Sequence, residues 1–409
     1  MTRTQPPSPA TRTPHPRGGL LAPVLVAGIM LLTLASSTLP SPFYPDWQTK
    51  LGLDTVTVTI LFAVYPVALL AALLVGGTLS DHLGRRSVLS LSLALLALSM
   101  VVFVLSSSAS AIILARIVQG VAVGLSLTAT AAAFTELVER ARPLRGRAVS
   151  AVVNATVPTF GLAVGAMLAG AGLDLLHDAQ LVVFGVLGAI AALLAVAVWF
   201  LPETADRRPG LLRSLRPVVG IPPSSRASFM RVAPAIVASW MTGGLFISLG
   251  STIVRDVFDQ TGHTVQALTV AIVATVGVAA VLVMRSASAR AVFTVGAGAL
   301  ALGTASGVLA AMAHSLPGYL IALAITGWGF GTAYAGALRL LIPTAPDGGQ
   351  AGLFAAVYVL AYISFALPAV LAGAAVSIFG LAATVTAYGA VVFVVSLIAL
   401  VRRGAAAAG

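Results

Sequence analysis

The chain has 409 residues, of which 59% are hydrophobic and only 9% charged. A soluble domain is about a quarter charged, so this composition cannot cover a water-facing surface of that size and makes lipid the solvent. Cysteine is absent, which excludes a disulfide framework, thiolate metal sites and a Cys nucleophile. The formal charge of +11 lies in short loops between apolar runs, which is a membrane-orientation pattern and not a nucleic-acid-binding domain.

Residues 1–18, rich in Pro, Thr and Arg, are expected to form a disordered cytoplasmic N-tail. The apolar run that follows is longer than the roughly 7–15 residues of a signal-peptide core and is assigned as the first span. A spanning helix needs about 20 mostly apolar residues. Cutting the chain at turns and charges predicts twelve: 19–40, 55–79, 86–107, 109–136, 147–172, 179–201, 232–254, 264–284, 290–313, 316–341, 350–376 and 378–401. The break at Ile378-Phe379-Gly380 is short, and spans 11 and 12 admit another cut.

Charge tests this division, because cytoplasmic loops collect Lys and Arg. Loops on one side, with both tails, hold twenty Arg residues; the opposite loops hold only Lys50 and Arg255, beside Asp46, Asp54, Asp174, Asp178, Asp256 and Asp259. This asymmetry places both termini in the cytoplasm and makes the number of spans even. The long basic interruption at 202–231 divides the chain into a six-helix bundle at 19–201 and another at 232–401, with a C-tail at 402–409. The expected fold is all-α, with twelve transmembrane helices in two six-helix bundles and a substrate site between them.

Between spans 2 and 3 lies a knot of turn residues and charges, Gly77 to Arg86. Gly77 permits close helix approach, and Gly84 permits a tight reversal. Asp81 is placed to cap the positive end of another helix. Arg85 and Arg86 are placed to pair with Glu136 or Glu139. The same residues also suit a polar turn with membrane-anchoring cations.

The spacing Gly77-x-Leu79-x-Asp81-x-x-Gly84-Arg85-Arg86 resembles the loop 2–3 signature of the major facilitator superfamily. Arg116-Ile117-Val118-Gln119-Gly120-Val121-Ala122-Val123-Gly124 resembles the helix 4 motif of that family, and Leu201-Pro202-Glu203-Thr204 its helix 6 ending. Gly161, Gly165 and Gly170 resemble the helix 5 motif of its antiporters, although the Pro that should follow the second Gly is missing and Pro158 lies upstream. The resemblance implies a conformational latch at Gly77, Asp81, Gly84, Arg85 and Arg86. It also implies a coupling role for Arg116, accompanied by Gln119 and Gly120, and a cavity lined mainly by helices 1, 4, 7 and 10.

An Arg at the bilayer centre costs about 2.5–3.5 kcal/mol on insertion scales and marks a cavity or a snorkelling side chain; both remain open for Arg116. No acidic residue lies deep in a span. Asp46 and Asp54 are the nearest candidate proton acceptors, and each also reads as an ordinary loop residue. Candidate cavity residues are Ser37, Thr38, Asn154, Trp240, Trp328, Tyr334, Tyr358 and Tyr362, the last two sharing a helix face four residues apart. Trp328 is favoured, since Gly327, Gly329 and Gly331 around it suit a closely packed helix. An isolated Trp or Tyr is more often an interface anchor or packing residue.

An aromatic, weakly charged cavity suits amphiphilic solutes better than sugars, dicarboxylates or phosphates. No His-Glu-x-x-His, Gly-x-Ser-x-Gly or phosphate-binding loop occurs, so no catalytic residue, cofactor or metal ligand is expected. The expectation is a monomeric secondary transporter in the cell membrane, exporting small molecules on the proton gradient. An uptake symporter and a non-transporting sensor on the same fold are the alternatives.

Overall fold

The computed structural model describes residues 20–205, 209–211, 215–346 and 348–404. The expected N-tail at 1–18 and the last five residues of the expected C-tail lie outside them, as does part of the central loop.

Among the described residues, twelve helices are long and apolar enough to cross a membrane. The first bundle comprises α1 (Leu21–Thr38), α2 (Thr55–Gly76), α3 (Arg85–Leu105), α4 (Ala109–Ala141), α5 (Gly146–Leu175) and α6 (Ala179–Ala197). The second comprises α7 (Arg226–Phe258), α8 (His263–Val283), α9 (Ala289–Met312), α10 (Leu316–Leu341), α11 (Gln350–Phe379) and α12 (Leu381–Gly404). This is an all-α membrane protein.

Local chemistry sets the helix ends. Asp54 accepts from Thr57 N at 2.7 Å to start α2, and Ser108, Ser288 and Ser315 cap α4, α9 and α10 in the same way. These side chains satisfy amide groups that have no partner in the first helical turn. Gly380, at φ +81°, separates α11 from α12, a backbone conformation that favours glycine.

Several helices outrun their expected spans. α4 continues to Ala141, so Glu136 and Glu139 are helical, and α7 begins at Arg226 instead of 232. Residues 41–51, expected as a loop, form a short 3₁₀ turn (Ser41–Phe43) and a helix (Tyr44–Leu51). Charges end an apolar stretch without ending a helix: Glu and Arg propagate helix well once outside lipid. The short helix stays because Trp47 stacks on Phe103 at 6.0 Å and Phe103 on Phe184 at 4.7 Å.

The two bundles meet along α5–α8 and α2–α11. A Cβ at Gly170 would lie 2.7 Å from His263 O and 2.8 Å from Ala267 Cβ, so only glycine lets α5 and α8 approach this closely. Phe62 of α2 meets Phe365 of α11 at 5.1 Å between ring centroids.

Candidate functional site

Arg116 lies on the eighth residue of α4 and is 0% exposed. It does not snorkel. Nε donates to Leu61 O (3.3 Å), Nη1 to Ser37 O (3.2 Å) and Gln119 Oε1 (2.6 Å), and Nη2 to Phe62 O (3.4 Å). The Tyr65 ring lies beneath the guanidinium, 4.3 Å from its carbon, and Ser37 Oγ holds the Tyr65 hydroxyl at 2.6 Å. Gln119, also 0% exposed, passes its amide N–H to Ser36 O at 2.7 Å.

Proline opens two of these acceptors, Phe62 O and Ser36 O. Pro66 has no N–H to close the helical bond to Phe62 O, and Pro40 has none for Ser36 O. α1 ends at Thr38 just before Pro40 and Pro42, and Ser36 O keeps only a 3.3 Å bond from Leu39 N at the helix end. The last carbonyls of α1 form the negative end of its dipole, and they face a cation. Gly120 brings α4 against this wall: a Cβ there would lie 2.5 Å from Tyr65 O.

A cavity of about 390 Å³ opens beside Arg116. Its wall takes Ser37 from α1, Phe62 and Tyr65 from α2, Asn154 from α5, Trp240 from α7, Tyr334 from α10, and Tyr358, Tyr362 and Phe365 from α11. Trp240 is the hub of the aromatic side, 4.8 Å from Tyr362, 5.7 Å from Tyr334 and 5.8 Å from Phe365 between ring centroids. Asn154 donates to Thr135 Oγ1 at 3.1 Å, and its Oδ1 is buried without a partner among the described residues.

Two expected cavity residues lie elsewhere. Thr38 donates to Leu162 O at 2.7 Å, where α1 crosses α5. Trp328 is outside the cavity wall, which takes Phe330, Gly331, Tyr334 and Leu338 from α10. Phe330, Tyr334 and Leu338 repeat every four residues and share a face, and Trp328, two residues from Phe330, points away from it. The glycines around Trp328 serve packing: Gly327 and Gly331 fit against α8, and Gly329 against α9. Tyr65, Phe62 and Phe365 are cavity residues that the sequence reading passed over. Phe365 continues the Tyr358–Tyr362 face at i+7, a visible signal; Phe62 and Tyr65 flank the Pro66 kink.

A larger space of about 730 Å³ adjoins the cavity, sharing Leu34, Leu127, Asn154, Pro158 and Tyr358, and reaches Glu136 near the arginine-rich face. There the Gly77–Arg86 knot is assembled. Arg85 bridges Asp81 (2.6 Å) and Glu136 (2.9 Å), whereas Glu139 pairs with Arg147 at 3.4 Å. Arg86 turns to Trp199 O at 3.2 Å and makes no ion pair among the described residues. The cap on α3 is Glu203 and not Asp81: its carboxylate accepts from Arg85 N (2.8 Å) and Arg86 N (3.3 Å). Gly84, at φ +96°, makes the reversal. A Cβ on Gly77 would lie 2.6 Å from Leu73 O.

The aspartate-rich face is shut. Ser41 Oγ donates to Ile247 O at 2.6 Å across the two bundles. His263 of α8 sits between Asp46 (Nε2, 3.1 Å) and Asp174 (Nδ1, 2.9 Å). Asp174 also accepts from His263 N and Thr264 N and so caps α8 from the other bundle.

Two six-helix bundles around a cavity, closed at one face and open toward the other, fit a membrane carrier that works between bundles. The model of the Major Facilitator Superfamily matches residues 26–338, and the chain belongs to that family. It is 33% identical over 138 residues to "Solute carrier family 2, facilitated glucose transporter member 12" of Homo sapiens, covering 34% of this chain and 22% of that protein. It is 24% identical over 175 residues to "Quinolone resistance protein NorA" of Staphylococcus aureus (strain MRSA252), covering 43% of this chain and 44% of that one. The alignments thus span under half of each relative. Among solved structures, the human organic anion transporter MFSD10 (TETRAN) superposes with a TM-score of 0.63 at 18% identity, over 92% of this chain and 98% of that chain. A point mutant of the nucleoside transporter NupG gives 0.67 at 11% identity, over 92% and 99%. At these identities the two structures share the fold.

Proposed function

We propose that the protein exports small amphiphilic compounds across the plasma or inner membrane in exchange for protons, by alternating access to the midplane cavity. The observation that carries this reading is the aromatic cavity with Arg116 in its wall, reached from one face and shut from the other. On this reading the arginine-rich face and both termini are cytoplasmic, the carrier works as a monomer, and the proton gradient supplies the energy without a bound cofactor. The knot around Arg85, paired within the first bundle in this state, is read as a latch that engages the second bundle when the bundles rock to the other state. Few amide or carboxyl groups line the cavity, which disfavours a sugar despite the similarity to a glucose transporter.

The test is reconstitution in proteoliposomes with a pH gradient imposed in either direction and a panel of amphiphilic aromatic compounds. Export coupling predicts accumulation under one gradient sign only. Arg116→Ala is expected to abolish accumulation while inserting normally. Transport that ignores the pH gradient, or full activity of Arg116→Ala, overturns the coupling.

A further inference from the structure

The central cavity carries an unbalanced charge. Its wall holds one formally charged side chain, Arg116, and no Asp, Glu, Lys or His. Every acceptor on the guanidinium is neutral: three backbone carbonyls and the Gln119 amide oxygen. No ion pair reaches it among the described residues. A buried cation without a counter-ion is costly, and charges within a low-dielectric wall act strongly on whatever enters. The guanidinium has five N–H groups; four are donated, and one on Nη2 has no acceptor among the described residues. Tyr65 beneath it is fixed by Ser37, so the cation is immobile and cannot withdraw to water.

On the reading of this cavity as the substrate site, we propose that the substrate is an aromatic monoanion, such as a carboxylate on a flat ring system. Its negative charge is drawn to Arg116, and its ring lies against Trp240, Tyr358 and Tyr362. A dianion would find no second cation in the wall. An organic cation would meet Arg116 with no carboxylate to offset the repulsion. The cavity of about 390 Å³ is within the usual range for drug-sized ligands, roughly 300–1,000 Å³.

Three probes of nearly equal shape test the charge: naphthalene-2-carboxylate, naphthalene-2-carboxamide and naphthalen-2-ylmethylammonium. Their binding to the purified full chain is measured by titration calorimetry at neutral pH. The carboxylate is expected to bind at least tenfold more tightly than the amide, and the ammonium more weakly than both. Arg116→Gln is expected to erase the difference between carboxylate and amide. Should that variant fail to fold, the ranking on the unaltered chain decides alone. Asn154→Asp, which adds an anion to the same wall, should weaken the carboxylate at least tenfold and leave the amide unchanged. Equal or tighter binding of amide or ammonium, or no binding of the carboxylate, overturns the proposal. Uptake of the same probes into proteoliposomes separates this from the transport reading. Gradient-driven movement of amide or ammonium in preference to carboxylate removes the anion proposal and leaves the carrier standing. Tight carboxylate binding without movement under any gradient removes the carrier and leaves the anion site.

Discussion

Arg116 owes its position to prolines on two other helices as much as to its own helix. Pro40 and Pro66 withhold the N–H groups that would otherwise close on Ser36 O and Phe62 O, and α4 supplies Gln119 and Arg116 in their place. Gln119 is the joint of this arrangement: its oxygen accepts from Arg116 and its nitrogen donates to Ser36 O. Gln119→Leu keeps the volume and removes both bonds, leaving an Arg116 N–H unpaired and Ser36 O with only its 3.3 Å bond from Leu39 N. The expected cost is about 1–3 kcal/mol, read as a lower unfolding midpoint in detergent, with transport reduced and not abolished. An unchanged midpoint would mean that Arg116 is held by the carbonyls alone. The sequence makes Arg116 conspicuous, because an ionised side chain inside an apolar run is rare. It does not show the three backbone acceptors, of which Phe62 O is left open by Pro66, 50 residues away in the chain.

At the scale of elements, the α3 N-terminus shows how the turn after α2 is built. Gly84 reverses the chain at φ +96°, Arg85 reaches back to Asp81 and across to Glu136, and Glu203 closes the exposed N–H groups from beyond α6. Burial pushes the Glu203 carboxyl up, but hydrogen bonds from the backbone N–H of Ala205, Arg85, Arg86 and Thr204 outweigh it, and the group titrates below its usual value of 4.5. A carboxyl with a depressed folded-state value stabilises the fold above its unfolded-state value. That contribution is lost as pH falls through the folded-state value. Glu203→Gln is therefore expected to lower the unfolding midpoint at neutral pH by an amount equivalent to about 1 kcal/mol. The gap should close as pH falls below 4.5. A gap that stays constant with pH would mean that the charge of Glu203 contributes nothing. Twelve spans are legible in the sequence because hydrophobic length and alternating charge are local properties of the chain. Helix ends are less so: in α4 and α7, charged residues mark where lipid stops while the helix runs on. The cap from Glu203 is not legible, because it joins elements 118 residues apart.

For the whole molecule, the proposed transport cycle turns on the difference between the two faces. The arginine-rich face holds its ion pairs within the first bundle, so Arg85 with Asp81 and Glu136 does not tie one half to the other. On the aspartate-rich face several polar contacts run between halves: Ser41 to Ile247, Asp46 to His263, and Asp174 to both His263 and Thr264. These contacts hold shut the face away from the vestibule, and the proposed alternating access requires that they break. Asp174 is the most heavily used, since it caps α8 from α5 and orients the imidazole at once. Asp174→Asn keeps the shape but weakens both roles, so the closed state loses stability relative to the state open at this face. The readout uses a cysteine-free background, which this chain already provides. A single Ser41→Cys, 3% exposed at the native serine, should react with a membrane-impermeant maleimide several-fold faster when Asp174→Asn is added. A control cysteine on the arginine-rich vestibule, at Thr135, should react more slowly in the same variant if the two faces alternate. Faster labelling at both positions would show loosening of the fold in place of rocking, and unchanged labelling at both would remove Asp174 from the gate.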